Sequence, residues 1–208
     1  MAGAHRLVGA GFIVVLHLLF AILYNKRGVE FTGSPCEFAV NNCNNNCNNT
    51  KNRKELIMLR ELVEKKHTRF ADKAKDWKDA IRMSCAAFAA DGTAEEGYAE
   101  EVIRCIEQYG PYIVLIPGVA MPHSQENGPL VHGTGVSFMR LKEPVCFDPE
   151  DEDKWADLFF AIAANDPEAH LENIKGLMEI FQNEELLDKL RAATCDEDLL
   201  ALSEQYNV

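Results

Sequence analysis

One continuous apolar run, the "LFFAIAA" inside "WADLFFAIAAND", constrains the fold of this chain more than any other stretch. A strand with one face in water alternates apolar and polar residues. Here every position from Leu158 to Ala164 is apolar, which predicts a strand buried on both faces. Two further strands are predicted, one at Tyr112–Ile116 and one in "GTGVSFMRLKEPV", where Pro144 is expected to end the strand.

Helical patterns alternate with these strands. Apolar residues at spacings of four, four and three run from Trp77 to Phe88 and predict an amphipathic helix that ends at Gly92. Thr93, with Glu96 three residues later, forms a capping-box pattern, so the next helix is expected to start there.

Shorter elements complete the pattern. "MLRELVEKK" predicts a helix and "HTRFAD" a short strand. Asp166 followed by Pro167 predicts the start of another helix. Two closing helices follow, and Thr194 or Asp196 is expected to cap the last one. Together these elements predict one α/β domain that spans residues 58–208.

Residues 1–57 are a different kind of sequence. The 18 residues 7–24 are apolar, and as a helix they would span about 27 Å, close to the roughly 30 Å hydrocarbon core of a bilayer. Seven of the nine residues 41–49 are asparagine, so the tract 41–50 is predicted to be a disordered linker. Cys43 and Cys47 lie on this tract without a nearby histidine, which disfavours a metal site.

Three interpretations of residues 1–57 stay open. Residues 7–24 are a membrane helix, or they are a signal peptide, although no clean small-x-small cleavage site follows. In the third interpretation Met58 is the true start. The preceding Arg53-Lys54-Glu55 could be encoded by a purine-rich, ribosome-binding-like sequence, and residues 1–57 would then be translated upstream DNA.

Charge and cysteine content narrow the choice of partner and compartment. The net charge of −12 divides into +3 for residues 1–57 and −15 for residues 58–208. The strongly acidic segment 58–208 disfavours nucleic acid as a binding partner and favours a basic protein. Seven cysteines at scattered spacings make a poor disulfide framework, so Cys85 and Cys105 are predicted to be core residues of a reduced, cytoplasmic protein.

The candidate functional residue is His123, in "GPYIVLIPGVAMPHSQENG". Pro122 fixes the backbone before it, while Gly118 and Gly128 permit tight turns, so a rigid loop at a strand end is expected to present the ring. An imidazole near neutral pH is a competent nucleophile and a switchable base. From local chemistry alone, a functional histidine and a loop histidine that only hydrogen-bonds are both open.

Four strings carry a resemblance to a known family: "DWKDAIR", "YGPYIVLIPGVAMPH", "TGVSFMRLKEPVCF" and "LFFAIAANDPEAHL". From about Met58 to its end, the chain resembles the type-2 EIIA domains of the bacterial phosphoenolpyruvate:sugar phosphotransferase system, the mannitol/fructose superfamily. It is most similar to the ascorbate-type branch. The resemblance implies a mixed β-sheet flanked by helices.

The resemblance also implies roles for individual residues. His123 would be phosphorylated on Nε2, as a tele-phosphohistidine, and His170 would stabilise the phosphoryl oxygens. Ser124 and Pro122 would support the phosphate-binding loop. Gln125 stands where many relatives carry a basic residue, which leaves the exact branch open. No metal and no organic cofactor is implied.

Partners follow from the same resemblance. The phosphocarrier protein HPr would donate the phosphoryl group, and an EIIB component would accept it to serve an EIIC permease that imports a sugar, with ascorbate as one candidate. Two alternatives stay open: a regulatory phosphorelay protein, and a membrane-anchored binding protein without enzymatic activity.

The other histidines and cysteines of residues 58–208 are given structural roles. His67 and His132 are predicted to be surface residues, and Cys146 and Cys195 are predicted to be packing residues.

Overall fold

The computed structural model describes residues 58–124 and 129–208, apart from the side chain of Pro167. The predicted membrane segment 7–24, the linker 41–50 with its two cysteines, and Gln125 and Gly128 lie outside the described residues. No helix within the described residues is long and apolar enough to cross a bilayer.

The described chain contains six helices and five strands. In order, they are α1 (Met58–Glu64), β1 (Thr68–Ala71), α2 (Trp77–Asp91), α3 (Tyr98–Tyr109), β2 (Val114–Ile116), β3 (Gly118–Ala120), β4 (Gly135–Cys146), β5 (Trp155–Ala163), α4 (Pro167–Phe181), α5 (Glu184–Ala192) and α6 (Asp196–Tyr206). The predicted α/β class is therefore confirmed, although β2 to β5 follow one another without the helices that an alternating pattern would place between them.

The five strands form one mixed sheet in the order β1-β4-β5-β3-β2. β1 runs parallel to β4 and β3 runs parallel to β5, whereas the β4/β5 and β2/β3 pairs are antiparallel. Because β3 and β5 are parallel neighbours, their carboxyl ends meet at the same edge of the sheet.

Helices cover both faces of the central strand, as the apolar run predicts. Residues of β5 from Leu158 to Ala163 have no solvent-accessible surface. Phe159 belongs to the core that includes buried residues of α2 and α3, while the adjacent Phe160 packs against Phe181 of α4, with ring centroids 5.2 Å apart. Successive side chains of a strand point to opposite faces, so each face has its own helical layer.

Two predicted helix starts are wrong. α3 begins at Tyr98 after Gly97, because Thr93 is held in a loop: its carbonyl accepts from the N–H groups of His132 and Gly133. The last helix follows Cys195, which makes no side-chain cap. Neither predicted cap fills that position, since Thr194 instead donates its N–H and hydroxyl to Asp198 within the helix.

Two predicted strand limits are also wrong. The strand expected over Tyr112–Ile116 starts only at Val114 and turns at once into β3, through a hairpin in which Gly118 has φ +85°. Pro144 does not end β4. The β4–β5 register shifts between Arg140 and Val145, and at such an irregularity a proline costs no ladder hydrogen bond.

His67 corrects a further prediction, because it is buried rather than on the surface, with 2% of its area exposed. Its Nδ1 lies 2.8 Å from the carbonyl oxygen of Val136 and its Nε2 lies 2.8 Å from Asp91 Oδ2. The ring therefore joins the start of β1 to β4 and to the last residue of α2. Cys85 and Cys105 are buried, as predicted.

Candidate active site

The sheet brings His123 and His170 together, although 46 residues separate them in the sequence. After β3 the chain continues beside β5, where the Ile162 N–H donates to the Pro122 carbonyl at 2.9 Å. His123 follows directly. β5 then leads into α4, whose fourth residue is His170. Both histidines therefore lie where the parallel strands β3 and β5 end.

The two rings face each other across a short gap. Their centroids are 6.2 Å apart and their planes are inclined by 48°. Asp166 caps α4 and accepts from the N–H groups of Glu168 and Ala169 at 3.3 and 3.2 Å. This carboxylate binds the first backbone donors of α4, and His170 in the first turn of that helix places its imidazole beside His123.

The hydrogen bond of His123 defines its tautomer. Nδ1 lies 2.7 Å from the carbonyl oxygen of Met121. A carbonyl oxygen only accepts hydrogen bonds, so Nδ1 carries the hydrogen and donates it. In the neutral ring the lone pair then lies on Nε2, which is the nucleophilic nitrogen.

Burial keeps both rings neutral. His123 is 4% exposed. Desolvation lowers its pKa to about 4, with a further lowering from the nearby His170, while the Met121 carbonyl opposes the shift. Burial also lowers the pKa of His170. A neutral imidazole is the form that can attack phosphorus, because protonation would remove its lone pair.

Two tyrosines that sequence reasoning missed hold the backbone next to His123. The Tyr112 hydroxyl donates to the His123 carbonyl at 2.5 Å, and its ring meets the imidazole edge-on with centroids 5.2 Å apart. The Tyr98 hydroxyl accepts from the Ser124 N–H at 3.3 Å and donates to the Ile162 carbonyl at 2.5 Å.

The sequence contains a pattern that indicates a buried, hydrogen-bonded side chain at Tyr98. Tyr98 shares a helix face with Val102 and Cys105, at spacings of four and seven, and all three are buried. A tyrosine on an apolar face needs a hydrogen-bond partner for its hydroxyl. The pattern cannot show that the partner is the backbone beside His123, because that contact depends on the tertiary fold.

The remaining predicted site residues occupy definite positions in the structure. Pro122 is buried and its carbonyl joins the loop to β5. Ser124 is half-buried, and its Oγ lies 3.9 Å from the Cys105 Sγ. His132 lies on the surface, as predicted, and its Nε2 is 3.0 Å from Glu95 Oε1.

Metal ions in proteins are held by groups of side chains such as His, Cys, Asp and Glu. Among the described residues, no group of three or more His, Cys, Asp or Glu side chains is placed to hold a metal ion. Cys146 and Cys195 are half-buried and unbridged. In the part of the chain that the structure describes, the site contains two neutral imidazoles, a serine and hydrogen-bonded backbone, an arrangement suited to nucleophilic attack followed by stabilisation of an anionic group.

The sequence of this chain is similar to those of known proteins. Residues 61–206 match a family model described as the phosphoenolpyruvate-dependent sugar phosphotransferase system, EIIA 2. The ascorbate-specific PTS system EIIA component of Shigella boydii serotype 4 is 36% identical over 148 residues, which cover 70% of this chain and 94% of that protein.

Solved structures agree in fold. The mannitol-specific cryptic phosphotransferase enzyme IIA of Escherichia coli superposes with a TM-score of 0.63 at 28% identity, covering 71% of this chain and 99% of that one. Enzyme IIA for mannitol from Escherichia coli, solved in a complex with phosphorylated enzyme IIB, gives a TM-score of 0.54 at 26% identity. That match covers 67% of this chain and 95% of that one.

Proposed function

This chain belongs to the EIIA 2 family of the phosphoenolpyruvate-dependent sugar phosphotransferase system, and we propose that His123 is the residue on which it carries the phosphoryl group. As an EIIA component the protein is a phosphotransferase that serves sugar uptake and partners with an EIIB component. The observation that carries the proposal for His123 is its buried, neutral ring with Nδ1–H donated to Met121.

The proposed chemistry is an in-line displacement at phosphorus. The Nε2 lone pair of His123 forms an N–P bond while the bond from phosphorus to the donor's histidine nitrogen breaks, and that electron pair returns to the donor ring. In the second step a cysteine thiolate of EIIB attacks the phosphorus and the electron pair of the N–P bond returns to Nε2. Such transfers depend mainly on positioning and charge stabilisation.

His170 is proposed to stabilise the phosphoryl oxygens. Its ring lies 6.2 Å from that of His123, centroid to centroid, so an N–H of His170 is within reach of a phosphoryl group bound between the rings. The arriving negative charge opposes the effect of burial and raises the pKa of His170, so the proton and the phosphoryl group are bound together. The Ser124 hydroxyl is the proposed additional donor, and Pro122 anchors the loop to β5.

The donor, substrate class and compartment are part of the same proposal. Phospho-HPr supplies the phosphoryl group, EIIB accepts it from His123, and EIIB in turn serves an EIIC permease that imports the sugar. Ascorbate is the proposed substrate class, because the relative that is 36% identical is named ascorbate-specific. The protein is expected in the cytoplasm, where HPr is found.

Labelling from phosphoenolpyruvate in the presence of enzyme I and HPr tests the proposal. His123→Ala is expected to abolish the acid-labile label, because it removes the nucleophile. His170→Ala is expected to keep the label but to slow onward transfer to EIIB by about tenfold to a hundredfold, because one phosphoryl donor is lost. His132→Ala, on the surface, is the matched control and should behave as the wild type.

Each variant has a result that would contradict the role proposed for its residue. Persistent label in His123→Ala would place the carrier elsewhere, and an unchanged transfer rate in His170→Ala would remove its stabilising role. Offering ascorbate-type and mannitol-type EIIB components to the phosphorylated protein tests the substrate class. Preferential transfer to the mannitol-type component would refute the ascorbate assignment.

A further inference from the structure

One hydrogen bond expected between β5 and the segment that continues from β3 to His123 is replaced by a side chain. The β3–β5 register pairs Ala120 with Phe159, and three residues further on it sets His123 opposite Ile162. In a parallel ladder, the residue opposite His123 donates its N–H to the carbonyl before His123 and accepts from the N–H after it. The first bond is present, from the Ile162 N–H to the Pro122 carbonyl at 2.9 Å.

At the second bond, the Tyr98 hydroxyl stands between the two backbone partners. It accepts from the Ser124 N–H at 3.3 Å and donates to the Ile162 carbonyl at 2.5 Å. Ile162 therefore holds the chain directly before His123, and it holds the chain after His123 through a tyrosine of α3. The inserted hydroxyl separates Ser124 from β5.

The other side of the same peptide group is also held by a tyrosine. The carbonyl of His123 accepts from the Tyr112 hydroxyl at 2.5 Å. The oxygen and the N–H of the peptide that joins His123 to Ser124 are thus both bonded to phenolic hydroxyls. Because the peptide is planar, two bonds at its opposite sides fix its orientation.

We propose that Tyr98 and Tyr112 are positioning residues for phosphoryl transfer. They fix the His123–Ser124 peptide group, and so they set the direction of the His123 imidazole and of the Ser124 side chain relative to the incoming phosphorus. This inference rests on the proposed role of His123 as the phosphoryl carrier. Displacement of a reacting group by about 1 Å can cost about a hundredfold in rate, so fixing this peptide has a direct kinetic consequence.

The protonation of the two hydroxyls suits this role. Burial raises the pKa of Tyr98 and of Tyr112 above the usual phenol range, so each hydroxyl keeps its proton. A neutral hydroxyl both donates and accepts, which Tyr98 does between Ile162 and Ser124. Phenylalanine at either position keeps the ring and its packing, such as the edge-on contact of Tyr98 with Phe88, and removes only the hydrogen bonds.

Kinetics of the two phenylalanine variants provide the first test. In Tyr98→Phe and Tyr112→Phe, the transfer rate at saturating phospho-HPr is expected to fall about tenfold to a hundredfold. The half-saturating phospho-HPr concentration should stay within about twofold, because the surface that binds HPr is unchanged. Tyr206→Phe is the matched control: it removes a surface hydroxyl bonded to Glu185 and should leave both values at the wild-type level.

Amide hydrogen exchange provides a second test that does not depend on phosphorylation. Tyr98→Phe is expected to accelerate exchange of the Ser124 N–H by about tenfold or more, because its acceptor is lost, while the core amide of Phe160 keeps its wild-type protection. Tyr112→Phe should change the exchange rate of the Ser124 N–H less than Tyr98→Phe does, because the Tyr112 hydroxyl bonds to the His123 carbonyl and not to that N–H. A merely structural effect would instead accelerate both amides together.

The outcomes separate this inference from the proposed carrier. Folded phenylalanine variants that transfer at the wild-type rate would overturn the inference. An equal loss of protection at Ser124 and Phe160 would also overturn it. Wild-type protein labelled at a residue other than His123 would refute the carrier assignment and, with it, a positioning role in transfer. If Tyr98→Phe does not fold, the transfer rate of Tyr112→Phe at saturating phospho-HPr alone tests the positioning role.

Discussion

His123 places a titratable ring in an environment that disfavours its charged form, and this has a consequence for stability as well as for the proposed phosphoryl transfer. The ring is 4% exposed and its pKa is lowered to about 4, mainly by desolvation. In the unfolded chain a histidine titrates near 6.5. Between these two values the unfolded state binds more protons than the folded state, so the free energy of unfolding falls as the pH falls.

This pH dependence is measurable. Lowering the pH from about 6.5 to about 4 is expected to remove about 3 kcal/mol of stability through His123 alone, because each pKa unit corresponds to about 1.4 kcal/mol. Urea unfolding at a series of pH values measures the slope. His123→Gln should flatten the slope in this window, since glutamine does not titrate. A slope unchanged in that variant would show that other groups cause the acid sensitivity.

At the scale of the elements, the end of α2 depends on contacts that join three elements through one buried ring. Asp91 is the last residue of α2, and it accepts from His67, from the Thr93 N–H and from the Thr93 hydroxyl. Although burial alone would raise the pKa of Asp91, these hydrogen bonds lower it. His67 also contacts the Val136 carbonyl, so β1, β4 and α2 meet at this ring.

Neutralising this carboxylate is expected to destabilise the fold. Asp91→Asn should lower the free energy of unfolding by about 1–2 kcal/mol, because charge-assisted hydrogen bonds to a buried partner are weakened. Glu95→Gln is the matched control, since Glu95 pairs with a histidine, His132, that is exposed, and it should change stability by less than about 0.5 kcal/mol. Chemical denaturation compares the two variants. Equal effects would show that burial of the histidine partner adds nothing.

The elements that the sequence predicts correctly are those with a local cause. The Leu158 run gives a strand buried on both faces, and Asp166 with Pro167 gives the start of α4, because periodicity and capping depend on neighbouring residues. The failures have tertiary causes. Thr93 has the residue type of a helix cap, but the chain after it pairs with residues 130–133, which takes its carbonyl out of the helix.

The residues of the candidate site also fall into those that the sequence indicates and those that only the tertiary structure reveals. His123 and His170 could be proposed from the sequence because the short strings around them resemble those of a known family. Their proximity follows from the parallel pairing of β3 with β5, and strand order is not encoded in any single segment. Tyr98 and Tyr112 were missed for the same reason, since the positioning role proposed for them depends on hydrogen bonds to backbone groups elsewhere in the fold.

At the scale of the whole molecule, the described fold lies within residues 58–208. Its helices cover both faces of the sheet, and the family match at residues 61–206 lies within the same range. A chain of about 150 residues can bury enough surface to fold by itself. The proposed domain boundary at Met58 therefore has a direct experimental consequence.

A chain that starts at Met58 is expected to fold cooperatively and to accept the phosphoryl group within about twofold of the full-length rate. Circular dichroism during thermal unfolding and labelling from phospho-HPr measure the two properties. An aggregated or unlabelled product would show that residues 1–57 are needed for folding or function. N-terminal sequencing of the native protein, together with membrane fractionation, then distinguishes an anchor, a cleaved signal peptide and a start at Met58.

The backbone around His123 is attached to the most deeply buried strand of the sheet. Ile162 has no accessible surface, and its N–H and carbonyl hold the chain before and after the histidine, the latter through Tyr98. Opening the segment from Met121 to Ser124 therefore requires breaking bonds of the central sheet, which open about as rarely as the domain unfolds. With His123 as the proposed carrier, we do not expect the phosphoryl group to travel on a swinging arm. We expect it to move between donor and acceptor by rotation and diffusion of the domain that carries the ring.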